Sequence, residues 1–305
     1  RASAVDAGFE ADSAARARIL EIVNRIDRMS LAIELAASRV AVLGLDEIQA
    51  RLDQRFRLLR SSRRDLPPRQ ATLLGAIDWS WNLLAPWERS ALAQAAVFHG
   101  GFTLEAFEAV ATCDAWPDAP WPMDIVQSLV EHSLVRGLDP VGGRRRFGMY
   151  ESIREYAAAK MAAADAVIGP ADQPQTGAAA LAALRRRHAQ FYGWLGSTEA
   201  IDALDTEGGV PRRRALTREH QNLLVALDWA IENGEADTAA RLAVAASYNL
   251  ETSGPFSAGL QVVADAMTCE PNDPRLTIRL LERRGWLLAL SGRIDEALDV
   301  QHAGL

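Results

Sequence analysis

The stretch FGMYESIREYAAAKMAA, residues 147–163, constrains the fold more than any other part of the chain. Its first four residues have strand character and pass directly into an amphipathic helix, with the basic turn GGRRR just before them. Leu134-Val135, a Gly-Gly tip and Phe147–Tyr150 together give the pattern of two strands joined by a turn. We therefore expect a β-hairpin that continues into a helix, packed on the helices that precede it.

The residues before this stretch predict two helical units. From Asp12 and Ser13, which are good N-caps, a helix runs to about Asp27; LAIELAASRVAVL forms a second helix ended by Gly44, and Asp46 caps a third. The loop RSSRRDLPP separates this small helical domain, residues 1–62, from the next unit. Helical periodicity then returns from Gln70, and several helices followed by one hairpin and a last helix predict a winged-helix domain over residues 63–164.

After the hairpin and its helix, the composition predicts a linker and then stacked helices. ADAVIGPADQPQTG, residues 164–177, has the composition of a linker. Residues 178–305 alternate between helical stretches and Gly or Pro breaks, and the last two helices match the tetratricopeptide pattern. The matching residues are Leu281, Gly285, Leu288, Gly292, Ile294 and Ala297. The predicted fold class is therefore mainly α: a helical domain, a winged helix with a small β-hairpin, and tetratricopeptide-like α-hairpin repeats.

Composition narrows the class of protein. A content of 49% hydrophobic and 24% charged residues is typical of a soluble chain with a core, and no apolar run is long enough to span a membrane. Two distant cysteines fit a reducing cytoplasm, where we expect the protein to be located. The net charge of −7 disfavours nucleic acid as the main partner. The chain begins with Arg1 and stops inside a helical pattern, so we expect it to be part of a longer protein.

Several stretches resemble a known family: LAIELAASRV with RLDQRFRLL, RRDLPPRQATLLGAIDWSWNLLAPWE, VFHGGFTLEAFEAV, SLVEHSLV, FGMYESIREYA and EHQNLLVALDWA. They are similar, in order, to the signal-transduction ATPases with numerous domains (STAND, NB-ARC-like), close to the large ATP-binding transcriptional regulators. The resemblance implies an upstream P-loop ATPase domain in the same chain, which binds ATP or ADP with Mg²⁺. It also implies that the helical repeats receive a protein or small-molecule signal.

The chain itself lacks the phosphate loop GxxxxGK[ST], so we expect no cofactor within it and no enzymatic activity of its own. The five histidines are scattered, and no catalytic or metal-ligating set is predicted. The resemblance does give three candidate nucleotide contacts. Met29 and Ser30 stand where the family has a Gly-Leu-Pro motif, and Tyr150 stands in place of the histidine of a Met-His-Asp motif. A buried aromatic that caps the hairpin is the favoured alternative for Tyr150.

Arg144, Arg145 and Arg146 are candidates for phosphate or DNA contact from the wing, with helix 124–135 as the reading helix. Asp124 and Glu131 on that helix oppose this assignment, because they would meet phosphates with the wrong sign. Three functions therefore stay open. The first is the regulatory part of a nucleotide-switched signalling protein that clamps an upstream ATPase domain; the second is a protein-binding helical adaptor with decayed nucleotide contacts; the third is a DNA-binding winged helix.

Overall fold

A computed structural model describes residues 12–40, 42–59, 72–141 and 143–303, and within these ranges the fold is mainly α, as predicted. One hydrophobic cluster extends from Ile22 in the first helix to Leu287 near the end of the chain. None of the helices in the described ranges combines the length and the apolar character needed to cross a bilayer.

Within the described residues of the first helical unit, the α-helices are α1 (Ser13–Arg25), α2 (Ser30–Ala37), α3 (Leu45–Ala50) and α4 (Arg55–Leu58), with a short 3₁₀ turn at Leu52–Gln54. The carboxylate of Asp12 caps α1 by accepting a hydrogen bond from the Ala15 amide at 2.7 Å, as expected. The prediction that α2 extends to Gly44 was wrong. It ends at Ala37, where the Ser38 hydroxyl bonds back to the Leu35 carbonyl at 2.7 Å. The N-cap of α3 is Gly44 and not Asp46, which lies in the first turn.

The next unit has the element order of a winged helix. It comprises α5 (Leu73–Leu83), α6 (Pro86–Ala95), β1 (Phe102–Thr103), α7 (Leu104–Val110), α8 (Pro122–Glu131), β2 (Arg136–Val141), β3 (Arg144–Gly148) and α9 (Glu151–Ala162). The three strands form an antiparallel sheet in the order β1-β3-β2, in which Phe147 pairs with Phe102 on one side and Gly137 on the other. The two-residue strand β1 was not predicted, because it is too short to show alternation.

The structure corrects two boundaries in this unit. Helix α8 begins at Pro122 and ends at Glu131, so the predicted 124–135 is displaced at both ends. Ser133 adopts a left-handed conformation with φ 58°, which stops the helix before the strand. Leu134 and Val135 were expected in the first strand; they lie buried between α8 and β2.

The predicted linker is instead a small hairpin, β4 (Val167–Ile168) paired with β5 (Gln175–Thr176). Ala166 and Ile168 have no exposed surface, and the Ser90 hydroxyl of α6 donates to the Val167 carbonyl at 2.6 Å. The polar composition of the stretch hid these anchoring contacts, because only Ala166 and Ile168 are buried.

The remaining helices are α10 (Gly177–Gly193), α11 (Thr198–Asp202), α12 (Gly209–Arg218), α13 (His220–Glu232), α14 (Ala236–Ser253), α15 (Phe256–Met267), α16 (Pro274–Leu290) and α17 (Ile294–Ala303). From α13 onward each helix packs on the next, and α14 also contacts α16, which gives a stack of helical hairpins. Helix α10 packs on α7 and α9 on one side and on α13 and α14 on the other. It therefore joins the winged helix to the stack.

Candidate functional site

The wing strand is attached to the helical stack by a buried ion pair. Arg146 of β3 reaches Glu219, the residue just before α13, and the side chains are only 5% and 11% exposed. The guanidinium meets both carboxylate oxygens: Nη1 donates to Oε1, and Nη2 donates to Oε2 at 3.4 Å. Two charges removed from water and facing each other in this way make a directional, two-point contact.

Asn222 extends this contact into a network. Its Nδ2 donates to Glu219 Oε2 at 2.8 Å and to the Gly101 carbonyl at 2.9 Å, while its Oδ1 accepts from the His99 amide at 2.7 Å. The ring of His188 on α10 lies 3.4 Å from the same Oδ1. One buried amide therefore connects α13, α10 and the turn before β1. We name the set Arg146, Glu219, Asn222 and His188 the joint network.

Burial sets the protonation of the groups around this network. It lowers the pKa of His188 to about 3, so this imidazole stays neutral at physiological pH. The pKa of His99 is also lowered, first by burial and then by the neighbouring guanidinium of Arg154. Burial, reinforced by the charge of Glu219, raises the pKa of Tyr192 well above its ordinary value.

The three wing arginines do not act as one basic surface. Arg146 is buried in the joint network, whereas Arg144 pairs with Glu105 through two largely exposed side chains. Arg145 is exposed. Arg144 and Arg145 therefore remain exposed near the tip of the wing, whereas Arg146 is buried against the helical stack. The burial of Arg146 could not be foreseen, because its partner lies 73 residues further along the chain.

The candidate nucleotide contacts lie where the first helical unit meets the winged helix. Met29 and Ser30 begin α2, and Tyr150 is the N-cap residue of α9, with the Arg136 guanidinium 4.6 Å from its ring centroid. Both carboxylate oxygens of Asp27 face the start of α9. They accept hydrogen bonds at 2.9 Å from the amides of Glu151 and Ser152. The loop before Met29 and the residue after Tyr150 are thus in direct contact.

The role of Asp27 was not predicted from the sequence. Its carboxylate caps a helix 124 residues away, and it also accepts from the Ser152 hydroxyl at 2.9 Å. Asp27 and Arg28 adopt left-handed conformations with φ 60° and 55°, which turn the chain sharply between α1 and α2. The only available signal was the pair of polar residues between two helices, which predicts a turn but not its partner.

A cavity of about 660 Å³ lies beside the joint network, between the wing and α10–α12. Its lining includes Tyr192, Arg146 and Glu219 together with apolar side chains from the end of α10 and from α12. Elsewhere, within the described ranges, no three His, Cys, Asp or Glu side chains come together in a group that could hold a metal ion.

No protein-family model matches the chain, and no solved structure gives a significant match. It is 36% identical over 247 residues to "Putative HTH-type transcriptional regulator Rv0890c" of Mycobacterium tuberculosis, and equally to "Putative HTH-type transcriptional regulator Mb0914c" of Mycobacterium bovis. These alignments cover 80% of this chain and 25% of each relative. "Uncharacterized protein Rv0894" of M. tuberculosis is 34% identical over 171 residues, which is 55% of this chain and 43% of that protein. The chain therefore spans about a quarter of the length of the mycobacterial proteins named as HTH-type regulators, and it is similar to them over most of its own length.

Proposed function

We propose that this chain is the regulatory and sensor portion of a transcriptional regulator, in which the winged helix serves as a joint and not as the DNA reader. The names of the mycobacterial relatives support a role in transcriptional regulation. The burial of Arg146 against Glu219 is the observation that carries the assignment to a joint. A wing that contacts DNA needs its cations free for phosphates, and here one of three is committed to the helical stack.

The outer surface of α8 also argues against DNA. Its exposed polar residues are Asp124, Gln127 and Glu131, so the helix that would enter the major groove carries negative charge. Phosphate contacts supply most of the affinity of non-specific binding, with dissociation constants of about 1 to 100 µM at physiological salt. We therefore expect no binding in that range.

Fluorescence anisotropy with a labelled random-sequence duplex tests this directly. The whole 305-residue chain is titrated at low salt, where electrostatic binding is strongest. If the anisotropy does not change as protein is added, the result supports the proposal that the winged helix serves as a joint. Micromolar binding that Arg145→Ala weakens, and that falls steeply with added salt, would establish the DNA-binding alternative instead.

We also propose that the chain works with an upstream P-loop ATPase domain that binds ATP or ADP with Mg²⁺. The contact between Asp27 and the start of α9 supports this, because it holds the first helical unit against the winged helix beside Met29 and Tyr150. A nucleotide held by the upstream domain would then meet both units. The presence or absence of the γ-phosphate would change the contacts that the nucleotide makes with the two units. It would therefore shift the equilibrium between arrangements of the first helical unit and the winged helix.

Isothermal titration with Mg-ATP and with ADP separates the parts of this proposal. The full-length protein is expected to bind with micromolar affinity and the isolated chain to show no heat of binding. Tight binding by the isolated chain would refute the division of labour. In the full-length protein Asp27→Asn is expected to change the affinity ratio between ADP and ATP, whereas Asp12→Asn, which removes a local cap on α1, is not.

A protein-binding adaptor is the second candidate function, and the last hairpin favours it. Trp286 and Leu290 on α16 and Ile294 and Leu298 on α17 are 51%, 40%, 54% and 49% exposed, and within each helix the two residues are one turn apart. Exposed large apolar side chains on neighbouring helices are typical of a binding surface. If the full-length protein binds neither nucleotide, the adaptor becomes the better account.

A further inference from the structure

We propose that the cavity between the wing and α10–α12 binds a small uncharged molecule with an aromatic or aliphatic body and a hydroxyl or amide group at its inner end. This inference rests on the proposed sensor role, and it places a site for a small-molecule signal at the joint, beside the ion pair that fastens the wing.

The size and walls of the cavity suit such a molecule. Its volume of about 660 Å³ falls within the range of small-molecule sites, roughly 300 to 1,000 Å³. Phe191, Trp194 and Leu195 form one wall, and Leu204 and Leu216 form another. Trp194 is 57% exposed, which is unusual for so large an apolar side chain and leaves its surface open to a ligand.

The inner end of the cavity has a polar group that lacks a partner. Tyr192 has no exposed surface, and its hydroxyl lies beside the Glu219 carboxylate without a hydrogen bond of good geometry in the described part of the chain. Buried hydroxyls in folded proteins are nearly always hydrogen-bonded. A ligand hydroxyl or amide carbonyl that accepts from Tyr192 would give this hydroxyl a well-aligned partner.

The charges of the lining argue for an uncharged ligand. Three arginines and three glutamates contribute side chains to the lining. Two of these arginines are paired with two of the glutamates, as Arg144–Glu105 and Arg146–Glu219. Arg212 bonds to the carbonyls of Ala203 and Glu207, at 3.0 and 2.9 Å. An ionised ligand group at the inner end would face the Arg146–Glu219 pair, whose two charges already neutralise each other. The ligand charge would therefore have no counter-charge.

Binding would act on the joint through Glu219. This carboxylate holds Arg146 of the wing and lines the cavity at the same time. A ligand that binds only when the wing and α12 are in their present arrangement stabilises that arrangement in proportion to its differential affinity. The joint is therefore expected to resist heat better when the cavity is filled.

Saturation-transfer NMR with β-naphthol tests the site, because this molecule has an aromatic body, one hydroxyl and no charge at neutral pH. We expect a dissociation constant of about 1 mM or below, as suits a fragment that fills part of the cavity. Ala215→Trp on the lining is expected to abolish the signal, whereas Ala179→Trp, on the exposed start of α10 and away from the cavity, leaves it unchanged.

Two further measurements test the chemistry. Tyr192→Phe removes only the hydroxyl and is expected to weaken β-naphthol about tenfold, the loss of one hydrogen bond. The anion β-naphthoate is expected to bind at least about tenfold more weakly than β-naphthol, because its charge is unpaired at the inner end.

The proposal fails if β-naphthol shows no binding at millimolar concentration, if Ala215→Trp leaves binding intact, or if β-naphthoate binds as well as β-naphthol. These outcomes concern the isolated chain and need neither DNA nor nucleotide. Failure here would leave the proposed regulatory role standing, and failure of the duplex and nucleotide titrations would leave the cavity standing.

Discussion

Arg146→Met is expected to destabilise the chain severely, although it lies in a strand that faces solvent on its other side. The substitution leaves the Glu219 side chain, only 11% exposed, with no cation beside it. Removal of one partner of a buried pair costs about 3 to 5 kcal/mol, because the other charge remains out of water. The Asn222 amide still donates to this carboxylate at 2.8 Å, so we expect the lower half of that range.

The double variant Arg146→Met, Glu219→Leu gives the decisive comparison. It removes both charges and replaces them with apolar groups of similar size, and Asn222 keeps the Gly101 carbonyl as a partner. A loss of about 1 kcal/mol is expected, since apolar replacement of a buried pair is often close to neutral. The coupling energy in the double-mutant cycle should then be about 3 kcal/mol or more.

Another arginine of the same strand supplies a matched control. Arg144 lies on the same strand and pairs with Glu105, but the two side chains are 69% and 62% exposed. Arg144→Met is expected to cost less than about 1 kcal/mol, since exposed pairs are screened by solvent. Added salt should reduce this small effect further and leave the Arg146 effect nearly unchanged.

Equilibrium urea denaturation followed by circular dichroism measures each free energy of unfolding. A loss below about 1 kcal/mol for Arg146→Met would refute the reasoning, because it would mean that the pair contributes no more than an exposed one. So would a double variant whose loss equals the sum of the two single losses, since the residues would then be energetically independent.

Three further predictions concern other parts of the fold. The pKa of His188 is about 3 in the fold against 6.5 when unfolded, so below pH 6.5 only the unfolded chain takes up this proton. Acidification from pH 7 to about 5 should therefore remove about 2 kcal/mol of unfolding free energy, and His188→Gln should abolish that part of the slope. Gly196→Ala should lower the free energy of unfolding in urea by more than about 3 kcal/mol, because the added Cβ would lie 1.7 Å from a backbone carbonyl oxygen of α14. Gly137→Ala is the control, because its added Cβ would have no atom within 4 Å and should cause no such loss. Ile168→Ala should cost about 2 to 5 kcal/mol by the same assay, which a flexible linker would not show.

The sequence by itself determined the features that depend on neighbours along the chain. The mainly α fold and the hairpin that continues into α9 follow from periodicity. The cap at Asp12 follows from a side chain that bonds three residues ahead. Each of these signals lies within one helical turn or one strand, so no knowledge of the rest of the molecule is needed to recognise it.

Tertiary structure alone decided which of the polar residues meet. Asp27 caps a helix 124 residues away, and Arg146 pairs with a carboxylate 73 residues away. Packing of α10 on α13 brings His188 to Asn222, 34 residues further along the chain. Nothing in the local sequence distinguishes Arg146 from Arg145 beside it. The alternation of side chains along β3 turns one of them into the helical stack and leaves the other in solvent. The burial that follows gives one arginine a partner and a role in the joint, and it is set by the packing of whole elements.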